Sequence, residues 1–151
     1  MLFLIGWAAA KAAEKGVTSA DTFLVLPAIL LGLVISLVEM GFVHADERGM
    51  GWMAHGLHAV PVTMAFTFVT MNVPYALKLA NIHAVGAWVE PVVIVVIGII
   101  AMAKVLTAAA IAGKVGEKKY HVFLIGLLII AAPYAWKYFL AAAIGPILPQ
   151  W

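Results

Sequence analysis

The sequence has no cysteine, a single arginine and few charges of either sign. Without cysteine, disulfides, thiolate metal sites and thiol redox chemistry are all excluded. Charged residues make up 11% of the 151, against roughly 25% in an average soluble domain. That is too little polarity to cover a soluble globule of this size. The net charge is +2 and the basic residues are scattered, without a basic patch interleaved with aromatics, so nucleic acid is not an expected partner. No GxSxG nucleophile elbow, phosphate-cradling P-loop or HEXXH metal motif occurs. The lone Arg48 offers little for gripping a phosphorylated substrate.

What the chain has is apolar length. Hydrophobic residues are 66% of it, gathered into four stretches near or above the roughly 20 residues that cross a hydrocarbon core. Span A is expected over 22–43, span B over 52–77, span C over 85–112 and span D over 122–145. Thr18 and Asp21 have capping-box spacing ahead of span A. The first residues, MLFLIGWAAAKAAEK, lack the positive charge that a secretory signal carries before its apolar run. They read as an interfacial amphipathic helix over 1–17, with Lys11, Glu14 and Lys15 towards water and Trp7 at the headgroups. Short connections make neighbouring spans antiparallel. The expected fold is therefore an all-α membrane protein, a four-transmembrane-helix up-down bundle preceded by that short helix, with a lipid bilayer as its solvent. Each span holds a proline (Pro27, Pro61 with Pro74, Pro91 and Pro133), and each is a candidate kink. Small residues such as Gly32, Ser36, Ala101 and Gly126 permit close helix approach. So small a bundle favours a homo-oligomer or association with other membrane subunits. Arg48, Lys114, Lys118 and Lys119 in the A–B and C–D loops outnumber Lys11, Lys15 and Lys78 opposite, which places the former loops in the cytoplasm.

Four ionisable residues fall inside the spans: Glu39, Glu90, Lys104 and Lys137. A charge at mid-membrane costs about 2.5–3.5 kcal/mol on insertion scales, so such residues face partners, line a path or snorkel. Glu90 and Lys104 share one stripe of span C, with Ile94 and Ala101, but stand about 21 Å apart along it. Each needs a partner on another helix. Threading predicts two cross-helix pairs, Glu90 with Lys137 and Glu39 with Lys104. Such pairs either lock register or act as gates that open when the acid takes a proton or cation. Thr63, Thr67 and Thr70 form a polar stripe on span B, about 120° around from His55 and His58.

The segment EMGFVHADERGMGWMAHGLH, residues 39–58, holds three histidines beside acids. His55 and His58 point to one side near the start of span B, and antiparallel threading brings His44 and His121 to the same membrane face. Glu39, His55 and His58 form the minimum set for a divalent metal ion, with His44 and His121 as weaker ligands. The same histidines could serve as axial ligands to haem. The bland reading is a solvated tight turn, anchored by Trp52. The leading functional expectation is a cation channel or transporter for protons or a metal ion, with Glu39 and Glu90 as gates and the histidines at one mouth. The alternatives are a non-transporting subunit of a respiratory or oxidase-type membrane complex, holding haem or copper through the histidines, and a membrane-embedded metalloenzyme.

Overall fold

The computed structural model describes residues 22–46, 52–82, 86–111 and 119–149, excluding the side chains of 46, 52–56, 58 and 108–111. The expected 1–17 helix and its Thr18–Asp21 cap lie outside the described residues, as do most of the loops. Five helices follow in order: α1 (Val25–Asp46), α2 (Trp52–Met71), α3 (Val73–Leu79), α4 (Val89–Ile111) and α5 (Lys119–Ala135). Beyond α5 the chain continues through a π-helical turn (Trp136–Leu140), one α turn (Ala141–Ile144) and a 3₁₀ turn (Gly145–Ile147). No strand occurs among the described residues. Three helical stretches, Val25–Ala45, Val89–Thr107 and Lys119–Ile147, are long and apolar enough to cross a membrane. Ala59–Met71 and Val73–Leu79, bent by 51° where they meet, make a fourth if the pair is one span.

The prolines act differently from one another. Pro27 and Pro91 fall in the first turns of α1 and α4, where their missing amides would have no intrahelical acceptor anyway. Pro74 opens α3. Only Pro61 and Pro133 lie inside helices. Pro133 deprives the carbonyl of Ile129, four residues earlier, of its usual donor. Thr70 Oγ1 on α2 stands 3.3 Å from that carbonyl oxygen, and also 3.0 Å from Thr67 O and 3.1 Å from Phe66 O. Its one proton serves one of the three at a time. Soon after Pro133 the helix widens into the π turn, so span D is less regular than its sequence suggests.

Span B is interrupted as well. Asn72 leaves the helical backbone region at φ −106° and ψ 7°, and its side chain ties the break to the start of α1. Leu24 N donates to Asn72 Oδ1 at 2.7 Å, while Nδ2 donates to Leu24 O at 3.3 Å and to Phe68 O at 2.9 Å. One amide thus closes off groups from two chain segments. α3 then ends in a left-handed residue, Asn81 at φ 56°. Asn81 N bonds Lys78 O and Ile82 N bonds Leu77 O, as in a Schellman stop.

α1 and α2 run antiparallel in constant register. Leu24 meets Asn72, Gly32 meets Met64 and Ser36 meets Val60, so every step along α1 is matched by an equal step back along α2. A Cβ on Gly32 would lie 3.3 Å from Met64 Cα, which is how closely the two backbones approach. α4 and α5 interlock reciprocally. Ile130 fills the space beside Gly98 and Met102 the space beside Gly126, and a methyl on either glycine would overlap the opposing side chain. α2 packs on both α4 and α5, α1 packs on α5, and α1 has no sustained packing along α4. Apolar side chains cover the outside too, including Val34, Leu37, Ile99 and Phe123, each about half exposed or more.

Three stability outcomes follow. Gly98→Ala gains up to about 1 kcal/mol of helix propensity but overpacks Ile130 at about 1–3 kcal/mol, so a lower melting temperature in mild detergent is expected. Gly41→Ala, with nothing within 4 Å of the new methyl, should melt at or above the parent temperature. Asn72→Ala leaves buried groups of Leu24 unpaired and should cost about 1–3 kcal/mol in the same assay; an unchanged melting temperature would rule out the clamp.

Candidate functional site

Glu39 and most of the buried hydroxyl side chains of this apolar protein lie on α1 and α2. Glu39 is 3% exposed and Ser36, one turn before it, is fully buried. On α2, Thr63, Thr67 and Thr70 are also fully buried, with Thr70 facing Ile129 of α5, so the polar stripe expected on span B lies in the interior. Ser36 Oγ sits 2.6 Å from Gly32 O in its own helix and 3.4 Å from Val60 O across the interface. Helical threonines usually bond back to a carbonyl one turn earlier. Thr70 does so, yet Thr63 Oγ1 and Thr67 Oγ1 are buried with no hydrogen-bond partner among the described residues. Their donors and acceptors point into the packed interior. By the register of α1 on α2, Thr70 lies level with residue 26. From there to Glu39 is about 20 Å at ~1.5 Å per residue.

Glu39 falls level with residue 57 in the same register, between the backbone positions of His55 and His58. The side chains of both histidines lie outside the described set, so the expected Glu39, His55 and His58 ligand set cannot be drawn at side-chain level. Among the described residues no group of three histidines and acids converges on one point. His44 lies in the last turn of α1 and His121 near the start of α5, so these two helix ends do share one end of the protein. His121 is buried and stacks flat on Phe42, with ring centroids 4.2 Å apart and planes 7° apart. Tyr120 packs edge-on against it at 4.0 Å. That ring is held by aromatic neighbours on its face, which leaves its edge to polar contacts.

The two expected ion pairs do not form among the described residues. Glu39 is buried at the α1–α2 interface, whereas Lys104 is exposed on α4. The reason is the helix arrangement: α1 has no sustained packing along α4, so the two residues share no interface. Lys104 N–H groups thus face outward, and its backbone oxygen accepts a bond from Thr107. Glu90 and Lys137 do line one cleft, of about 560 Å³, with Lys78, Tyr134 and Tyr138. They stand apart within it, because Lys137 is exposed in the π turn with its Nζ 5.5 Å from the centre of the Tyr138 ring. Stripe geometry along a single helix fixed their depth but not which neighbour each would face.

Asn72 and the π turn escaped the sequence reading. A lone Asn near the end of an apolar run ahead of Pro74 is a legible sign of a helix break; the π turn carries no comparable signal.

Comparison with known protein families, with curated proteins and with solved structures gives no match.

Thr67→Val removes a buried hydroxyl that has no partner and nearly preserves shape. Its melting temperature should equal or exceed that of the parent, by up to about 1 kcal/mol in stability. A loss above about 1 kcal/mol would mean that Thr67 makes a bond this geometry does not contain.

Proposed function

We propose that this is a multi-span membrane protein, its apolar helices forming an up-down bundle of four spans, that moves a proton or metal cation past Glu39. One observation carries the reading: a carboxylate 3% exposed, Glu39, shares the protein interior with the fully buried hydroxyls of Thr63 and Thr67, which bond no described residue. An acid within a span is expensive and is by default a functional residue. Its chemistry is suited to cations, since it can take up a proton or offer a full negative charge to an ion. Hydroxyls suit the same task because each both donates and accepts, and can pass on a proton or replace part of a hydration shell. The 20 Å from Glu39 to the level of Thr70 is about two-thirds of a hydrocarbon core of ~30 Å.

On this reading His44 and His121 lie at the mouth nearer Glu39, and His55 and His58 belong to the same end by backbone level. Metal or haem at those histidines is no requirement of the path. The lysines take no gating role, because Lys104 is on the outside and Lys137 belongs to a separate cleft.

Reconstituted vesicles carrying a pH-sensitive dye, or a metal-sensitive one, test this under an imposed potential. Glu39→Gln keeps the shape and removes the charge, and flux should fall about tenfold or more, equivalent to about 1.4 kcal/mol on the barrier. Parent-level flux of every cation tried in Glu39→Gln would exclude Glu39 as the carrier.

A further inference from the structure

The cleft that holds Glu90 and Lys137 is built by irregular backbone on all three of its sides. α3, restarted by Pro74 after the 51° bend, brings Lys78. Gly86, at φ +150°, turns the chain into α4 and sets Glu90 in its first turn; a Cβ there would overlap the Trp88 ring. The π turn presents Lys137 and Tyr138, with Tyr134 one turn before. Opposite charges that share a small cleft ordinarily close into an ion pair. Here Glu90 and Lys137 do not, among the described residues, and about 560 Å³ lies between the walls, within the 300–1,000 Å³ usual for small-ligand sites.

We propose that this cleft binds a phosphodiester bearing a primary ammonium, the chemistry of a phosphoethanolamine head group. A dipolar ligand of this kind answers both signs of charge: its phosphate goes to Lys137 and Lys78, its ammonium to Glu90. Carboxylate with ammonium, and ammonium with phosphate, make charge-assisted hydrogen bonds roughly twice as strong as neutral ones. Tyr134 adds a phenol that can donate to a phosphate oxygen. Pro74, Leu77 and Pro91 supply apolar wall for whatever carries the head group. The surroundings favour a lipid as that carrier. Trp88, Tyr138 and Phe139 are 62%, 65% and 75% exposed beside the cleft, the aromatic exposure typical of headgroup depth. Only this choice of carrier rests on the membrane reading above; the head-group chemistry does not, nor does it depend on cation movement.

Native mass spectrometry of the full chain in detergent, stripped of lipid, tests the site. The probes are dioctanoyl phosphatidylethanolamine, dioctanoyl phosphatidylcholine and water-soluble glycerophosphoethanolamine. The parent protein should bind one phosphatidylethanolamine about tenfold more tightly than phosphatidylcholine, whose quaternary nitrogen cannot donate to Glu90. Glu90→Gln should abolish that preference, and Lys137→Gln should weaken both lipids. Melting temperatures of the two variants serve as the folding control. Glycerophosphoethanolamine that binds as tightly as the lipid would make a soluble phosphodiester the ligand and keep the site; weaker binding by it assigns the site to lipid. Equal binding of the two lipids by the parent protein, or a preference unchanged in both variants, would overturn the proposal.

Discussion

A backbone carbonyl deprived of its amide inside an apolar protein has to find another donor within reach, and that constraint organises this structure. Water cannot serve it, and an unsatisfied polar group in such surroundings costs several kcal/mol. Pro133 creates one such carbonyl at Ile129, and a hydroxyl from another helix, Thr70, stands ready to serve it. The break at Asn72 creates more, and the Asn72 side chain answers with donor and acceptor together, reaching Leu24 and Phe68 at once. Two of the buried polar side chains, Thr70 and Asn72, therefore act where the backbone is irregular. Irregular backbone in turn is concentrated at one end of the protein, where α3, the start of α4 and the π turn meet.

That division separates two kinds of chemistry. Towards the other end, α1 and α2 are regular, in constant register, and close enough that Gly32 admits the Met64 backbone. Buried there are groups that do not merely repair the helix: Glu39, and the hydroxyls of Thr63 and Thr67. A hydroxyl that mends a carbonyl has its proton committed, whereas one that faces the interior keeps it for exchange. Thr70 belongs to the first kind and Thr67 to the second, three residues apart on one helix. The Glu90 cleft is of neither kind, since it opens at the surface of the protein between α3, the start of α4 and the π turn.

How much of this was legible in the sequence depends on the range of the signal. Apolar runs marked where the long helices lie, because hydropathy is summed over many positions; the interruption at Asn72, between α2 and α3, is the exception. That Thr63, Thr67 and Thr70 share one face was legible from helical period; that the face is buried was not. Distance to the nearest loop gave an expected level for Glu39, Glu90, Lys104 and Lys137, of which only Glu39 is buried. What period and depth cannot supply is which helices are neighbours. Glu39 and Lys104, expected at one level, belong to α1 and α4, which have no sustained packing along one another, so a pairing argued from level alone failed. Glu90 and Lys137 do belong to neighbouring helices. They failed to pair because the π turn, for which no residue pattern gives notice, swings Lys137 outward.

The clamp at Asn72 also has a mechanical meaning. It pins α1 to α2 at the end away from their short connection, through two hydrogen bonds between Asn72 and Leu24. Between the two ends, Ser36 Oγ reaches Val60 O at 3.4 Å and Gly32 lets the Met64 backbone close in. Two rods joined at both tips, by a five-residue link at one and a side-chain amide at the other, make a closed frame. The same amide that repairs a broken helix therefore also keeps the hairpin from splaying.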